Sequence, residues 1–574
     1  MSTVLSLPEE LVIEILLKAD HRILLACQRA CRTFNVIIRD SLALQYIISL
    51  AACGMQDDLS TIHCQGTAER LQRLCEHEAA WREVAWSDGG IIANRAACDF
   101  PTAISGSVLA FLKQFDGNSG DSDLGDRLFL LRIPSKLRGI PGESWELSGL
   151  GEMSNLCIDA AQDLLLFHRA CKFHVRALSS GNVHPLVLHS GAFDMGMGTS
   201  DVAETPVVCC YYLAAIVHEH AWSQTTLTIK GTIIVWNWRT GNQVVVLRPL
   251  FARLGRDIAF LDEKHILIPA SAADSALKPG QNYELMLLVY EFKTSTIASV
   301  NKVVAYCFQT ALPVRTGLAT FRHARISVNT ASFSPPTDTD SNSNSNSFPR
   351  GYFYADPKDR IITLEVTDNN WMQNMEETAE LYVPTRTFLA YMAAHPPLAV
   401  SAVRAGTGAG GPIVDVPWEE WGPCGAHLVR TVDQTYIIRR PRSCGMRVLG
   451  APLSKKSVVV ADYHPGRVAR SAAAAAACVR APAPAQRPVG TLFSSSSESH
   501  VGTGTETGAT TRTLMRTRRR CFPPLVRVTK EVPLPAELQD ALESPWTMLC
   551  EDALLAFEYV PDGFEISRVF AYTF

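Results

Sequence analysis

Few residues in this chain have the types and spacing that chemistry needs. The run GTGAGG, Gly406 to Gly411, spells a phosphate-binding glycine loop. Such glycines let the backbone approach a pyrophosphate, provided that a strand precedes and a helix follows. Pro412 and the β-like Ile413-Val414-Asp415-Val416 follow instead, so a glycine-rich loop is expected here. His218-Glu219-His220 places three metal-capable side chains in a row, yet zinc peptidases set two histidines on one helix face with a HExxH spacing. On a strand, alternation sends Glu219 to the face opposite both histidines, and two ligands make a poor site. Cys75 with His77, and Cys424 with His427, have no second half at zinc-finger spacing. Cys27 and Cys31 read as small core residues of a helix. The basic run Arg512 to Arg520, RTLMRTRRR, could be a nuclear address or a contact for an acidic partner; a solvated run of charge is the simpler reading. P-loop, GxSxG and kinase signatures are missing. No catalytic residue, metal or cofactor is therefore expected.

Stepping from residues to elements, 574 residues exceed the roughly 100–200 usual for one domain, so a small module beside a large one fits the length. A formal charge of −4 offers no reason to expect nucleic acid or a bilayer surface as partner. The sixteen cysteines are spread along the chain rather than packed into a disulfide framework. The first residues mix Glu9, Glu10 and Glu14 into their apolar positions, unlike a secretory leader. The apolar stretch LALQYIISLAACGM is broken by Gln45 and falls short of the roughly 20 residues that span a bilayer. A soluble protein of the cytoplasm or nucleus is expected.

At the head of the chain, LSLPEELVIEILLKADHRILLACQRACRTFN reads as short helices. Pro8 suits a first helical turn, and Ser6 with Glu9 has capping-box spacing. Leu11, Ile15 and Leu16 share one face with Val12 beside them, and the pattern stops near Ala19. Asp20 can cap a second stretch in which Ile23, Cys27, Ala30, Phe34 and Ile37 recur every three or four residues. Helices this short cover one another only in part, which predicts that Leu7, Leu11, Ile15 and Leu24 rest on the remaining chain or on another protein.

These residues carry a likeness. Leu7-Pro8-Glu9-Glu10-Leu11, Ile15-Leu16, Leu24, Cys31 and Phe34 together resemble the F-box, and IRDSLALQYIISLAACGM after them looks like the form common in mushroom-type fungi. Ala19, Ile23, Ala30 and Phe34 stand where that family usually has leucine, aspartate, valine and tryptophan. The resemblance implies docking on the Skp adaptor of SCF ubiquitin ligases, and through it on cullin. It implies Leu7, Pro8, Leu11, Ile15, Leu16 and Leu24 as contacts, with Cys31 and Phe34 shaping the module.

Residues 67 to 86 place Leu71, Leu74, Trp81 and Val84 at helical spacing and predict a connecting helix. From about Leu128 the period changes to short strands separated by Gly, Pro, Asn and Asp. Four segments repeat one template of strand, small polar turn and strand: FHVRALSSGNVHPL, IIVWNWRTGNQVVVL, LLVYEFKTSTIASV and IITLEVTDNNWMQ. Their expected turns, at Gly181, Gly241, Ser295 and Asn369, lie 60, 54 and 74 residues apart. Val235-Trp236-Asn237 with Thr240-Gly241 resembles a WD repeat, Asn237 replacing the usual aspartate. NLCIDAAQDLLLF and DIAFLDEKHILIP supply further strands of the same units.

The expected architecture is thus multidomain, α followed by all-β. An F-box module covers 5–50, a helical connector 51–125, and a degenerate β-propeller of about seven blades 126–574, with insertions near 333–349 and 471–521. A β-sandwich pair or a mixed β domain is the alternative. The expected role is substrate recognition for an SCF-type ubiquitin ligase, without catalysis by this chain. A protein-interaction scaffold outside any ligase, and an enzyme with its site in the β domain, remain as rivals.

Overall fold

The computed structural model describes residues 7–58, 66–83, 90–98, 101–113, 126–194, 201–202, 206–222, 227–247, 252–254, 257–272, 283–292, 304–314, 324–327, 351–370, 375–396, 403–404, 413–432, 443–450, 457–465, 467–468, 528–533, 546–550, 553–559 and 566–573. Gly406 to Gly411, Arg512 to Arg520 and the insertions 333–349 and 471–521 lie outside them.

The chain opens with four short helices, α1 (Glu9–Leu16), α2 (His21–Ala30), α3 (Arg32–Asp40) and α4 (Leu42–Cys53). Pro8 is the N-cap of α1 and no side chain caps that end. Asp20 caps α2, its carboxylate accepting the Ile23 N–H at 2.9 Å. The single second stretch expected from Ile23 to Ile37 is two helices. Cys31, with extended backbone at φ −155°, interrupts it, and its Sγ accepts the Phe34 N–H at 3.5 Å. Cys31 is thus a cap rather than the core residue expected. Val12, Leu16, Leu24, Ile37, Ile38 and Leu44 fill the middle of the bundle. Gly54 ends α4 in the left-handed region at φ +64°, where a side chain would also strike the His464 ring. The expected connector helix is α5 (Thr67–Glu83), with Leu74 and Trp81 buried.

Seven sheets follow, numbered I to VII, antiparallel except for one parallel pair in sheet IV, where Ile413–Val416 runs beside Val304–Val314. Sheet I comprises Pro101–Ser105, Val108–Lys113, Arg127–Arg132 and Glu143–Leu147. Sheet II comprises Ser154–Asp159, Leu164–Arg169, Lys172–Ala177 and Ala192–Asp194. Sheet III is built on Val207–Cys209, Tyr212–Trp222, Leu227–Asn237 and Asn242–Leu247, and sheet IV on Ala259–Phe260, His265–Ala272, Tyr283–Glu291 and Val304–Val314. Sheet V has Ala324–Ser327, Ile361–Asn370, Met375–Pro384 and His427–Val432; sheet VI has Ser443–Cys444, Arg447–Gly450, Ser457–Asp462 and Val528–Pro533. Sheet VII takes three strands from the end of the chain, Trp546–Leu549, Ala553–Tyr559 and Ile566–Thr573, and its fourth, Gly90–Cys98, from before sheet I.

A sheet with two apolar faces must bury both, and here each is buried against the next sheet. Leu130 of I packs in one core with Leu165 of II, Phe173 of II with Trp236 of III, and Val235 of III with Ile268 of IV. Leu287 of IV shares a core with Leu381 of V, Tyr382 of V with Val448 of VI, and Leu449 of VI with Leu554 of VII. Leu555 of VII then packs with Leu109 of I, closing the ring. The β region is a seven-bladed propeller. The boundary expected at 126 moves accordingly, because strands 90–98 and 101–113 belong to blades.

The repeats also need correction. In sheets II and III the template joins the third strand to the fourth; in sheet IV its first half is the third strand, Tyr283–Glu291, and the expected turn at Ser295 lies outside the described residues, whereas Ile361–Asn370 of IITLEVTDNNWMQ is the second strand of sheet V. Asn369 is no turn; it pairs with Glu376 inside a long hairpin. Between the last two strands of sheet V the chain inserts α6 (Thr385–Ala394) and α7 (Trp418–Gly425), whose Phe388 and Trp421 rings meet Phe308 of sheet IV in edge-on contacts, with centroids 5.0 and 5.5 Å apart. Ser457–Asp462 pairs directly with Val528–Pro533 in sheet VI, and the expected insertion 471–521 falls between these two strands in the chain, outside the described residues.

Candidate docking site

Ten large hydrophobic side chains are exposed among the described residues, and seven of them fall between Leu7 and Leu42. Leu11 and Ile15, spaced by four and therefore on one side of α1, are 50 and 51% exposed, and Leu7, two residues before the helix, is 40% exposed. Pro8 at the head of this row is exposed too, its carbonyl accepting the Leu11 and Val12 N–H groups. These four of the expected contacts are exposed at the head of the module. Leu16 and Leu24 are 5% and 0% exposed and belong to the core of the bundle. The reason is the period, since Leu16 is turned from Ile15 by about 100° onto the inner side. Cys31 caps α3, and Phe34 packs partly buried against the same core.

Ile23, Leu25, Val36 and Leu42 are further exposed apolar residues, Ile23 at 52%. Ile23, which the spacing groups with Cys27, Ala30, Phe34 and Ile37, faces outward, while its neighbour Leu24 is the buried residue of α2. Only the helix crossing, not the spacing, could have located these four.

The module is mounted on the propeller by α4 and α5. Tyr46, Leu50, Cys53 and Met55 pack with Leu74 and with Phe353 and Ala355 of the propeller. Met55–Asp57 pairs as a strand with Phe353–Ala355. Arg70, buried, forms an ion pair with Asp57 at 3.0 Å and donates to the Asp58 carbonyl at 2.9 Å. Nearer blade VI, Glu78 of α5 lies 3.4 Å from both Arg447 and Arg467, and Asp462 faces Arg467 at 2.5 Å and Arg447 at 3.5 Å. Arg467 also donates to the Cys53 carbonyl at the end of α4 at 2.6 Å. Arg447 lies 4.2 Å over the Trp81 ring, and His464 contacts Asp359 at 3.1 Å. Burial alone would raise the Glu78 pKa; Arg467 and Arg447 outweigh it and hold the carboxyl below its ordinary value. Asp462 is lowered in the same way, against its burial, by Arg467 and Arg447. Both carboxylates are therefore held ionised, each facing an arginine.

Among the described residues, those that suggested chemistry form no site. Cys75 is exposed, and His77 is buried with its ring 5.4 Å from Phe353. His427 meets the Tyr463 hydroxyl at 3.2 Å. His218, Glu219 and His220 lie on the strand Tyr212–Trp222, and their side chains are outside the described residues. Among the described residues, no group of three His, Cys, Asp or Glu could hold a metal ion, and no helix is long and apolar enough to cross a membrane. The WD-like hairpin is well formed. The Asn237 side-chain oxygen accepts the Arg239 and Thr240 N–H groups at 3.0 and 3.3 Å, and Gly241 adopts φ +72°. An amide does the turn-closing work here without a charge.

Comparison with known proteins gives the module a family. Residues 4–47 match the family model described as F-box-like, so the N-terminal module is an F-box-like domain. No curated protein matches the chain. Solved structures similar to it include the C-terminal WD40 domain of Sif2, at 11% identity and a TM-score of 0.24, covering 65% of this chain and 72% of that one. The N-terminal domain of Nup159 is similar at 8% identity and a TM-score of 0.20, covering 66% of this chain and 92% of that one. The WD40 domain of SCAP from fission yeast is similar at 5% identity and a TM-score of 0.20, covering 65% and 95%. Overlaps this loose carry no weight beside the seven sheets and their cores.

Proposed function

We propose that this chain is a substrate-recognition subunit of an SCF-type ubiquitin ligase: an F-box-like module seats on a Skp adaptor, and a propeller presents the target protein. The observation that supports this most directly is that Leu7 and Pro8 at the head of α1, and Leu11 and Ile15 on it, are uncovered while the opposite side of that helix is filled. Leaving such side chains wet forgoes about 1.5–3 kcal/mol apiece, a cost that contact with a second subunit removes. An F-box plus a propeller fits a protein-interaction role, and the buried ionic mount suits a ligase. Ubiquitin transfer by proximity works best when the target is held at a set distance and angle, because effective concentration falls when the two ends drift. The chemistry is then supplied by the conjugating enzyme and this chain needs no catalytic group. The cytosol or nucleus, where such ligases assemble, is the proposed location.

The test is a pull-down with purified Skp adaptor and cullin, comparing the full chain with the double variant Leu11→Asp, Ile15→Asp. Loss of adaptor capture by at least about tenfold, with unchanged thermal unfolding, is the expected result. Equal capture by both proteins would refute the assignment of this face. Adaptor capture with no cullin recruited would point instead to a scaffold outside a ligase.

A further inference from the structure

The three other exposed large hydrophobics among the described residues lie together on blade II: Val183, Leu186 and Leu188, the last 77% exposed. They sit on the connection between Lys172–Ala177 and Ala192–Asp194, and that connection is pinned at every step. Gly181 turns the chain back at φ +73°, and the Ala177 N–H donates to the Asn182 carbonyl at 2.8 Å. His184 is buried beneath it: Nδ1 accepts the Leu186 N–H at 3.2 Å, and Nε2 bonds to the Gln162 carbonyl at 2.9 Å, which makes Nε2 the protonated nitrogen. His189 repeats the device, Nδ1 accepting the Gly191 N–H at 3.2 Å and Nε2 bonding to the Trp238 carbonyl at 3.1 Å. The Leu188 N–H donates to the Arg239 carbonyl at 2.8 Å, fastening the loop to blade III.

A loop fastened this firmly has paid its ordering entropy in advance, yet it holds its largest apolar side chains in water. Two arginines lie beside them. The Arg176 guanidinium lies beside Val183, where a side chain added at Gly191 would meet both. Arg239 reaches the Leu186 carbonyl from Nε at 3.5 Å while its guanidinium stacks 4.8 Å over the Tyr211 ring. Exposed Arg169 and Lys172 extend the same sheet. The neighbouring acids are engaged: Asp163 accepts the Ser179 N–H and hydroxyl at 2.7 Å each, and Asp194 stands opposite Lys172 in the ladder.

We propose that this loop is where the propeller docks its target, and that it takes an extended protein segment whose leucine-like side chains are flanked by aspartate or glutamate. The apolar trio would cover the segment's hydrophobic side chains. Arg176 and Arg239, planar and pre-oriented, would receive its carboxylates. The assignment rests on the propeller being a substrate receptor and adds the place and the chemistry.

The test uses the full chain and three labelled peptides of one length, with leucines spaced among glutamates, among glutamines or among lysines, read by fluorescence anisotropy. The glutamate peptide should bind, the glutamine peptide about tenfold more weakly and the lysine peptide not at all. Leu188→Asp and Arg239→Glu should each weaken the glutamate peptide by about tenfold or more while thermal unfolding and adaptor capture stay as in the parent. Hydrogen exchange should slow over 183–190 on binding. Equal affinity for the three peptides, no binding of any, indifference to both variants, protection on another blade, or tighter binding to phosphatidylserine vesicles than to the glutamate peptide would each overturn the assignment. If adaptor capture by the parent also fails, the ligase reading falls with it; if capture persists, only the loop assignment falls.

Discussion

Truncating Leu24 to alanine should empty space in the middle of the helical module, at a cost of about 2–5 kcal/mol, since the side chain is fully buried among Val12, Ile37 and Ile38. Leu11→Ala, on the outer row, should change stability by no more than about 0.5 kcal/mol. Chemical denaturation of the two variants measures the contrast, and similar costs would show the outer row to be structural. Cys31 is a weak cap, because sulfur accepts hydrogen bonds poorly. Cys31→Asp should stabilise α3 by roughly 1 kcal/mol, read as a higher denaturation midpoint; a fall would mean that the thiol packs rather than caps. His184 adds a pH dependence. Burial lowers its pKa below the ordinary histidine value, the bond to Gln162 and the charge of Asp163 work to raise it, and Arg239 lowers it again. The folded state therefore favours the neutral ring, whose Nδ1 must stay free to accept from Leu186. Its contribution is intact above the unfolded value near about 6.5 and is lost progressively as pH falls from there toward the depressed folded value. Thermal unfolding between neutral and mildly acidic pH should fall more steeply in the parent than in His184→Asn; parallel profiles would exclude the ring as the cause.

At the scale of elements, the joint of α5 with blade VI decides how the module is carried. Glu78→Gln would leave Arg447 and Arg467 facing one another with only Asp462 between them, and removing one partner of a buried network typically costs about 3–5 kcal/mol. The expected result is faster hydrogen exchange across α4 and α5 while the blade cores stay protected. Uniformly unchanged exchange would show that the apolar contacts of Tyr46, Leu74 and Phe353 hold the joint alone. Glu78, Asp359 and Asp462 all have lowered folded pKa values, each against its own burial. Their stabilisation is present above the unfolded carboxylate range, about 4, and is lost as pH drops through the lower folded values, so acid should loosen this joint.

For the whole molecule, closure of the ring depends on a strand that lies almost five hundred residues from its partner, Gly90–Cys98 against Ile566–Thr573. Removing residues 1–98 should leave the edge of blade VII open and yield an aggregating protein, whereas removing only 1–53 should keep the ring and lose the docking module. Size-exclusion chromatography with thermal unfolding separates the two, and equal behaviour would deny the closing role of that strand. Much of this plan can be read from residue order. The F-box likeness rests on local spacing, and so do the Asp20 cap and the hairpin of Trp236 and Gly241, because those are near-neighbour properties of the backbone. The sequence by itself determined that the head of the chain is helical and its bulk β, and that this head carries apolar side chains in excess of what it can cover. Tertiary structure alone decided that Leu24 is core while Leu11 is free, that blade VII borrows its last strand, that Asn369 sits in a ladder, and that Arg447, Arg467 and Glu78 meet. Burial and ion pairing depend on which distant surfaces come together, and no local period encodes that.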